Sequence, residues 1–245
     1  MARYLAVNDI INRAAIECGL LKSSSPVTDN EETFVQMTGL LNSAGQELCE
    51  LNDWPVLIRK FTISTQVDDT GKYDLPDDFN YFLDQTAWDN DNRLPLGGPL
   101  SPQDWTYLEG RDLVSETIYA SYREADGQIW LFPQPPPVGR NYSFEYVSRN
   151  WLREASSQQP NRDDIGDGSN VCMLPGLMTI KFLKMKFLQA KGFDFSGAAL
   201  EFDTLFQGQI GKTTGAPVLN ASRQRGGAPF LNAWDNIGDT GFGGA

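Results

Sequence analysis

Leu51-Asn52-Asp53-Trp54-Pro55 and Tyr73-Asp74-Leu75-Pro76-Asp77-Asp78-Phe79 are the two stretches that decide how this chain folds. The first reads as a helix end. Proline has no backbone N–H and its ring collides with the preceding turn, so Pro55 stops the helix while Trp54 can cover its apolar end. The second reads as a turn, with Pro76 fixing the backbone and Phe79 returning to a core. Around these stretches the apolar period changes from that of helices to that of strands.

Toward the N-terminus the period is helical. Val7, Ile10, Ile11, Ala14 and Cys18 recur at three- and four-residue spacing, with Asn8 as expected cap and Gly19 as expected stop. Thr28 and Glu31 have the spacing of a capping box. Phe34, Met37, Leu40, Leu41, Ala44, Leu48 and Leu51 then line one face of a second helix. Residues 1–55 are thus an expected helical pair.

From 56 to 148 the pattern alternates. Phe61 to Val67, Lys72 to Leu75, Thr117 to Tyr122, Gln128 to Phe132 and Tyr142 to Val147 read as strands. Asp126-Gly127 marks a hairpin, and Ser101-Pro102 opens a short helix with a serine cap and proline in the first turn. An antiparallel meander is the expectation. A polar loop with three aspartates covers 149–170. A second helical pair then completes residues 149–212. Leu177, Ile180, Leu183, Phe187 and Leu188 face inward on its first helix, with Lys181, Lys184 and Lys186 turned to water. Phe195, Ala199, Phe202, Phe206 and Ile210 line its second helix. Residues 213–245, rich in glycine and without period, form an expected extended tail. The expected class is α+β: a helical bundle with an inserted antiparallel β-domain and an extended C-terminal tail.

Composition narrows the chemistry. Among 245 residues there is no histidine, which removes the commonest general base and metal ligand together. Cys18, Cys49 and Cys172 are far apart with no CxxC spacing, so they read as packing residues. Gly208 to Thr213 ends in Gly-Lys-Thr, but its spacing is too short for a phosphate loop, and it closes a helix. Asp77-Asp78, Asp89 with Asp91, and Asp163-Asp164 with Asp167 lie beside Gly, Pro or Asn, where aspartate serves turns. No catalytic, cofactor or metal site is expected. A metal-dependent hydrolase built on those aspartates is the competing enzyme reading. A β-rich module binding a carbohydrate or host receptor through Trp88, Trp105, Trp130 and Tyr107 is the competing binding reading.

The net charge is −12, and an acidic surface disfavours phosphate-backbone binding. Residues 176–225 run against this balance, with seven basic side chains and three acidic ones. No stretch approaches the roughly 20 apolar residues of a membrane span. No signal-peptide pattern opens the sequence, so the protein is expected to act in the compartment that makes it, without a membrane.

The Asn-Asp-Trp-Pro helix end and the Tyr-Asp-Leu-Pro-x-Asp-Phe turn resemble the head-to-tail adaptor (connector) proteins of short-tailed bacteriophages. Trp54, Pro55, Tyr73, Leu75, Pro76, Asp78 and Phe79 carry the resemblance, and the order of helical pair, β-region, helical pair and tail is similar over most of the chain. What the resemblance implies is a virion protein of the tail or neck, made in the host cytoplasm. It implies a twelve-fold ring under the portal protein that extends the DNA channel and docks tail or nozzle proteins. DNA would pass without specific binding, and no cofactor would be used. The tail would engage the portal, with Phe230, Leu231 and Trp234 as apolar anchors and Arg223 and Arg225 pairing with acidic groups.

Overall fold

The computed structural model of the chain describes residues 4–110 and 120–213. Strand β1 (Leu5–Ala6) leads into helix α1 (Val7–Glu17), and α2 (Glu32–Leu51) follows a 3₁₀ turn at Pro26–Thr28. Five strands come next: β2 (Ile58–Ser64), β3 (Lys72–Asp74), β4 (Phe79–Phe82), β5 (Trp88–Asp89) and β6 (Leu94–Pro95). Helix α3 (Pro102–Gly110) precedes β7 (Ser121–Ala125), β8 (Gln128–Phe132) and β9 (Asn141–Ser148). Two short strands, β10 (Leu152–Arg153) and β11 (Val171–Cys172), precede α4 (Gly176–Ala190) and α5 (Ser196–Thr213). The class is α+β. One compact unit spans Met1–Phe206, and α5 passes its limit into a second unit, Gln207–Ala245.

Two apolar clusters fill the first unit. The larger gathers Ile10, Ile11 and Ala14 of α1, Phe34, Met37, Leu41 and Leu48 of α2, and Met178, Ile180, Leu183 and Phe187 of α4. Trp54, Leu57, Val147 and Trp151 close it. The smaller holds Ile63, Tyr122, Ile129, Leu131, Tyr142 and Phe144. Strand β9 serves both, Val147 in one cluster and Tyr142 and Phe144 in the other.

The apolar faces read from the sequence for α1, α2 and α4 are largely the buried ones, but the face read for α5 is not: Phe195 precedes the helix and is exposed, and Ala199, Phe202, Phe206 and Ile210 are only half-buried. Leu51 and Leu177 are exposed, and Gly45 and Cys49 are buried in α2 instead. Helix α1 ends as its glycine requires: Gly19 adopts φ +78°, Gly19 N–H donates to Ile16 O and Leu20 N–H to Ala15 O. The starts differ from expectation. Asn8 lies inside α1, whose first N–H groups instead reach a remote loop, Val7 to Asn170 O and Asn8 to Gly168 O. No Thr28–Glu31 box forms: Thr28 belongs to the 3₁₀ turn, and the Glu31 N–H donates to Asp29. A cap contributes about 1 kcal/mol, whereas each fully buried Leu or Ile contributes about 1.5–3 kcal/mol. The apolar faces therefore fix these helices, and the caps adjust their ends.

The sheets are antiparallel but not a meander. β2 pairs along its whole length with β9, from Ile58 opposite Val147 to Ser64 opposite Asn141. On its other edge β9 pairs with β4 and β5, and β5 continues to β6. A second sheet has the order β3-β8-β7, joined by the expected hairpin with Asp126 at φ 55° and Gly127 at φ 70°. The 149–170 region is more than a loop: β10 pairs with β11, which also pairs with β1. Trp151, at its start, is fully buried. Helix α5 continues through Gly211 to Thr213, the residue at which the expected tail begins.

A Cβ built on Gly45 would lie 2.3–2.5 Å from carbons of the Trp151 ring, while one on Gly39 of the same helix meets nothing within 4 Å. Gly45→Ala should therefore destabilise the fold by about 1–3 kcal/mol through overpacking. Gly39→Ala should stabilise it by about 0.5–1 kcal/mol through helix propensity. Urea denaturation of the two variants checks the opposite signs.

Candidate functional site

Of the residues that carried the family resemblance, Asp78 stands at the centre of a polar node, and its partners are Arg59, Tyr146 and Ser148. Asp78 sits on the turn before β4 and is largely sheltered from solvent. Its Oδ2 lies 2.9 Å from Arg59 Nη1 of β2 and accepts from the Ser148 hydroxyl at 2.6 Å. Its Oδ1 accepts from the Tyr146 hydroxyl at 2.9 Å, and its backbone carbonyl accepts from Arg149 N–H at 2.9 Å. Arg59 also donates to the carbonyl of Pro160. One aspartate thus joins β2, the turn and β9, and through Arg59 the node extends to the 149–170 region. Burial, reinforced by the bond to Asp78, pushes the Tyr146 phenol up to about 12, so it stays a donor.

Helix α2 ends at Leu51, ahead of Pro55, and Trp54 covers the core beyond it. Trp54 is buried, its Nε1–H donates to Leu48 O at 2.7 Å, and its ring makes a T-shaped contact with Phe206, 6.3 Å between centroids. Pro55 follows at once. Asp53 accepts from the Tyr81 hydroxyl at 2.8 Å, linking this end to β4. Tyr73 donates to Asp69 at 2.9 Å, and that carboxylate also accepts Gln66 N–H at 2.6 Å. Leu75 packs, half-buried, against the smaller cluster. The turn closes with Phe79 N–H on Pro76 O at 2.9 Å. Phe79 itself does not return to the core. It stays half-buried, against Phe82 at 4.6 Å and Tyr146 at 5.8 Å.

The other aspartate clusters serve structure. Asp89 is buried and accepts from Asp91 N–H, Asn92 N–H and Asn92 Nδ2. Asp91 accepts from Asn141 N–H, Asp163 pairs with Arg149, and Asp164 pairs with Arg162. Asp167 accepts from Ser169 N–H. Among the described residues no group of three or more cysteines or carboxylates could hold a metal ion. Cys49 and Cys172 are buried and Cys18 half-buried. Burial pushes the Cys49 thiol up to about 12 and the Cys172 thiol to about 11, so both remain protonated packing groups.

Of the four aromatics of the binding-module reading, Trp105 and Trp130 are not exposed. Trp105 is buried and meets Trp130 edge-on at 6.1 Å, and Lys72 Nζ covers the Trp130 ring at 3.9 Å. Trp88 and Tyr107 are the exposed pair. The lysines of α4 do not point to open water either: Lys181 and Lys184 bridge Glu17 and Glu201, and Lys186 pairs with Glu47. Arg223, Arg225, Phe230, Leu231 and Trp234 lie outside the described residues, as do Thr117 to Tyr119 of the expected strand. The sequence reading missed Arg59, Tyr146 and Ser148. Arg59 stands next to Lys60 in the same strand, and no spacing distinguishes the two.

Asp78→Ala would leave Arg59 and two hydroxyls without their shared acceptor. It should destabilise the fold by about 2–3 kcal/mol, less than a fully buried broken pair because both partners keep some solvent contact. Asp78→Asn should retain part of this, and Lys60→Ala should be near neutral. Thermal unfolding of the three variants checks the order.

The chain matches the model of a protein family described as SU10 adaptor protein over residues 6–229. No curated protein matches it. The matched span contains the helices, the Asp78 node and both stretches quoted at the outset, and it continues past the last described residue. The chain therefore belongs to the SU10 adaptor protein family, and its role is that of a phage structural adaptor.

Proposed function

We propose that this adaptor works at the head-to-tail junction of a short-tailed phage, as one of twelve copies in a ring beneath the portal. The observation that carries the reading is the family match over residues 6–229, taken with the Asn-Asp-Trp-Pro and Tyr-Asp-Leu-Pro-x-Asp-Phe stretches it encloses. In this reading residues 1–55 and 149–212 form one helical bundle, 56–148 are an inserted β-domain, and 213–245 are the tail. The ring extends the DNA channel, and its far side docks tail or nozzle proteins.

Charge and surface support the role. A net charge of −12 per subunit repels phosphates, so DNA slides past without adhering. A ring contact is heterologous, one face of a subunit meeting a different face of the next. Folding leaves apolar side chains on the helical side for such contacts: Ile16, Leu21, Val35, Phe193 and Leu200 are all exposed. The repulsion between acidic subunits opposes assembly in dilute solution, so the portal acts as template. The tail supplies the portal contact. Its glycines leave the free chain many conformations, and ordering them opposes binding. Phe230, Leu231 and Trp234 must then provide most of the net affinity, with Arg223 and Arg225 orienting the segment against acidic groups.

Truncation after Thr213 should leave a folded subunit that no longer sediments with portal. Trp234→Ala should weaken attachment by about 2 kcal/mol, the size of an interface hot spot. Mass photometry should show monomers alone and a ring on portal. Undiminished portal binding by the truncated chain would move the docking surface to the helices, and a stable dimer indifferent to portal would end the ring reading.

A further inference from the structure

Helix α5 is held to its compact unit differently from α1, α2 and α4. Of its residues only Ala198 is buried, and Leu200 is 69% exposed. Its hold has an aromatic part and an ionic part. Phe202 stacks on Phe182 of α4, 4.4 Å between centroids and 28° between planes, and on Phe206 at 5.5 Å. Phe206 in turn meets Trp54. Glu201 reaches Lys181 Nζ at 3.0 Å and Lys184 Nζ at 3.5 Å. The same two ammonium groups contact Glu17 of α1 at 2.8 and 3.4 Å. Two cations thus stand between two carboxylates from different helices.

The cluster is balanced only while α5 is in place. Without Glu201, two lysines about one-fifth exposed would share the single carboxylate of Glu17. Phe182 and Trp54 would each lose an aromatic neighbour. We propose that α5, over residues 196–206, is a strap latched by Glu201 onto Lys181 and Lys184, and that its release uncovers an apolar face rimmed by those lysines. The helix has little else to hold it. Gly197, Gly208 and Gly211 lower its propensity, and a Cβ on any of them would meet nothing within 4 Å.

The groups facing the latch are Glu17, Lys181, Lys184 and Glu201, with Cys18 close to Lys184 and Glu17. The hydrogen bond from Lys181 holds the Glu201 carboxyl below its ordinary range, and that to Glu17 holds Lys181 above its own. A lowered carboxylate contributes stability above its unfolded range and loses it as pH falls through the folded value. A raised lysine contributes below its unfolded range and loses it as pH rises through the folded value. The Lys181–Glu201 contact is therefore ionised throughout neutral pH. Salt, which screens half-exposed charges, is the lever that weakens it.

Hydrogen exchange on the full chain tests the latch. In Glu201→Lys, amides of 196–206 should exchange about tenfold faster, with a smaller acceleration in Glu201→Gln and in the wild type at about 1 M salt. Amides of α1, α2 and α4 should keep their protection. Lys181→Glu combined with Glu201→Lys restores two cations and two carboxylates, and should recover slow exchange. Unchanged exchange in Glu201→Lys, equal acceleration in α1 and α4, or no recovery in the double variant would each overturn the proposal. The measurement is made on isolated subunits, so its failure leaves the ring reading untouched.

Discussion

The fold depends on one carboxylate that is shared by segments far apart in sequence. Asp78 receives Arg59, Tyr146 and Ser148 at 2.6–2.9 Å, and Arg59 carries the link on to Pro160. Closing long loops costs entropy that grows slowly with length, so a contact that closes several at once must be strong or well sheltered. This one is both: charge-assisted hydrogen bonds are roughly twice as strong as neutral ones, and the aspartate is largely shielded from water. It stands where β2 and β9 lie side by side. Val147 in the larger cluster and Phe144 in the smaller make β9 the shared wall of both.

The helical core obeys a different rule. Apolar faces of α1, α2 and α4 decide it, and Trp54 and Trp151 fill its ends. Gly45 shows how tight the filling is, because the Trp151 ring occupies the space where any side chain would begin. Around the rim the acidic chain gathers its cations. Lys181, Lys184 and Lys186 each reach a glutamate on a neighbouring helix. Exposed pairs of this kind are individually weak, about 0–1 kcal/mol each, so they select among helix arrangements more than they stabilise any one.

What could be read from the sequence follows from range. The period-3.6 faces of α1, α2 and α4, the Asp126-Gly127 hairpin and the Gly19 stop are local signals, and each is present in the structure, while α2 ends at Leu51, ahead of Pro55. The start of α1 departs from its expected Asn8 cap because its first N–H groups use carbonyls of Gly168 and Asn170, which no local motif announces. The sheet order departs from a meander for the same reason. Alternation marks a strand at Phe61 to Val67, observed at Ile58–Ser64, but does not show that its partner is Asn141 to Val147. In the candidate site, Trp54, Pro76 and Asp78 were visible because proline and tryptophan punctuate a helix end and a turn. Arg59, Tyr146 and Ser148 were not, since an arginine in a strand looks alike whether it faces water or an aspartate.

The two ends of attachment in this molecule differ in kind. The chain between β2 and β9 is tied at both ends, and the Asp78 node sits across the join. Opening that join would expose a guanidinium, two hydroxyls and a carboxylate together, so it is expected to open only with the fold. Helix α5 is tied covalently at its start alone within the described compact unit. Its hold there is an aromatic stack and an ion cluster, and either can yield without disturbing the apolar faces beneath. The sheltered aspartate therefore holds its geometry as long as the fold stands, and the half-exposed glutamate can yield its own while the fold persists.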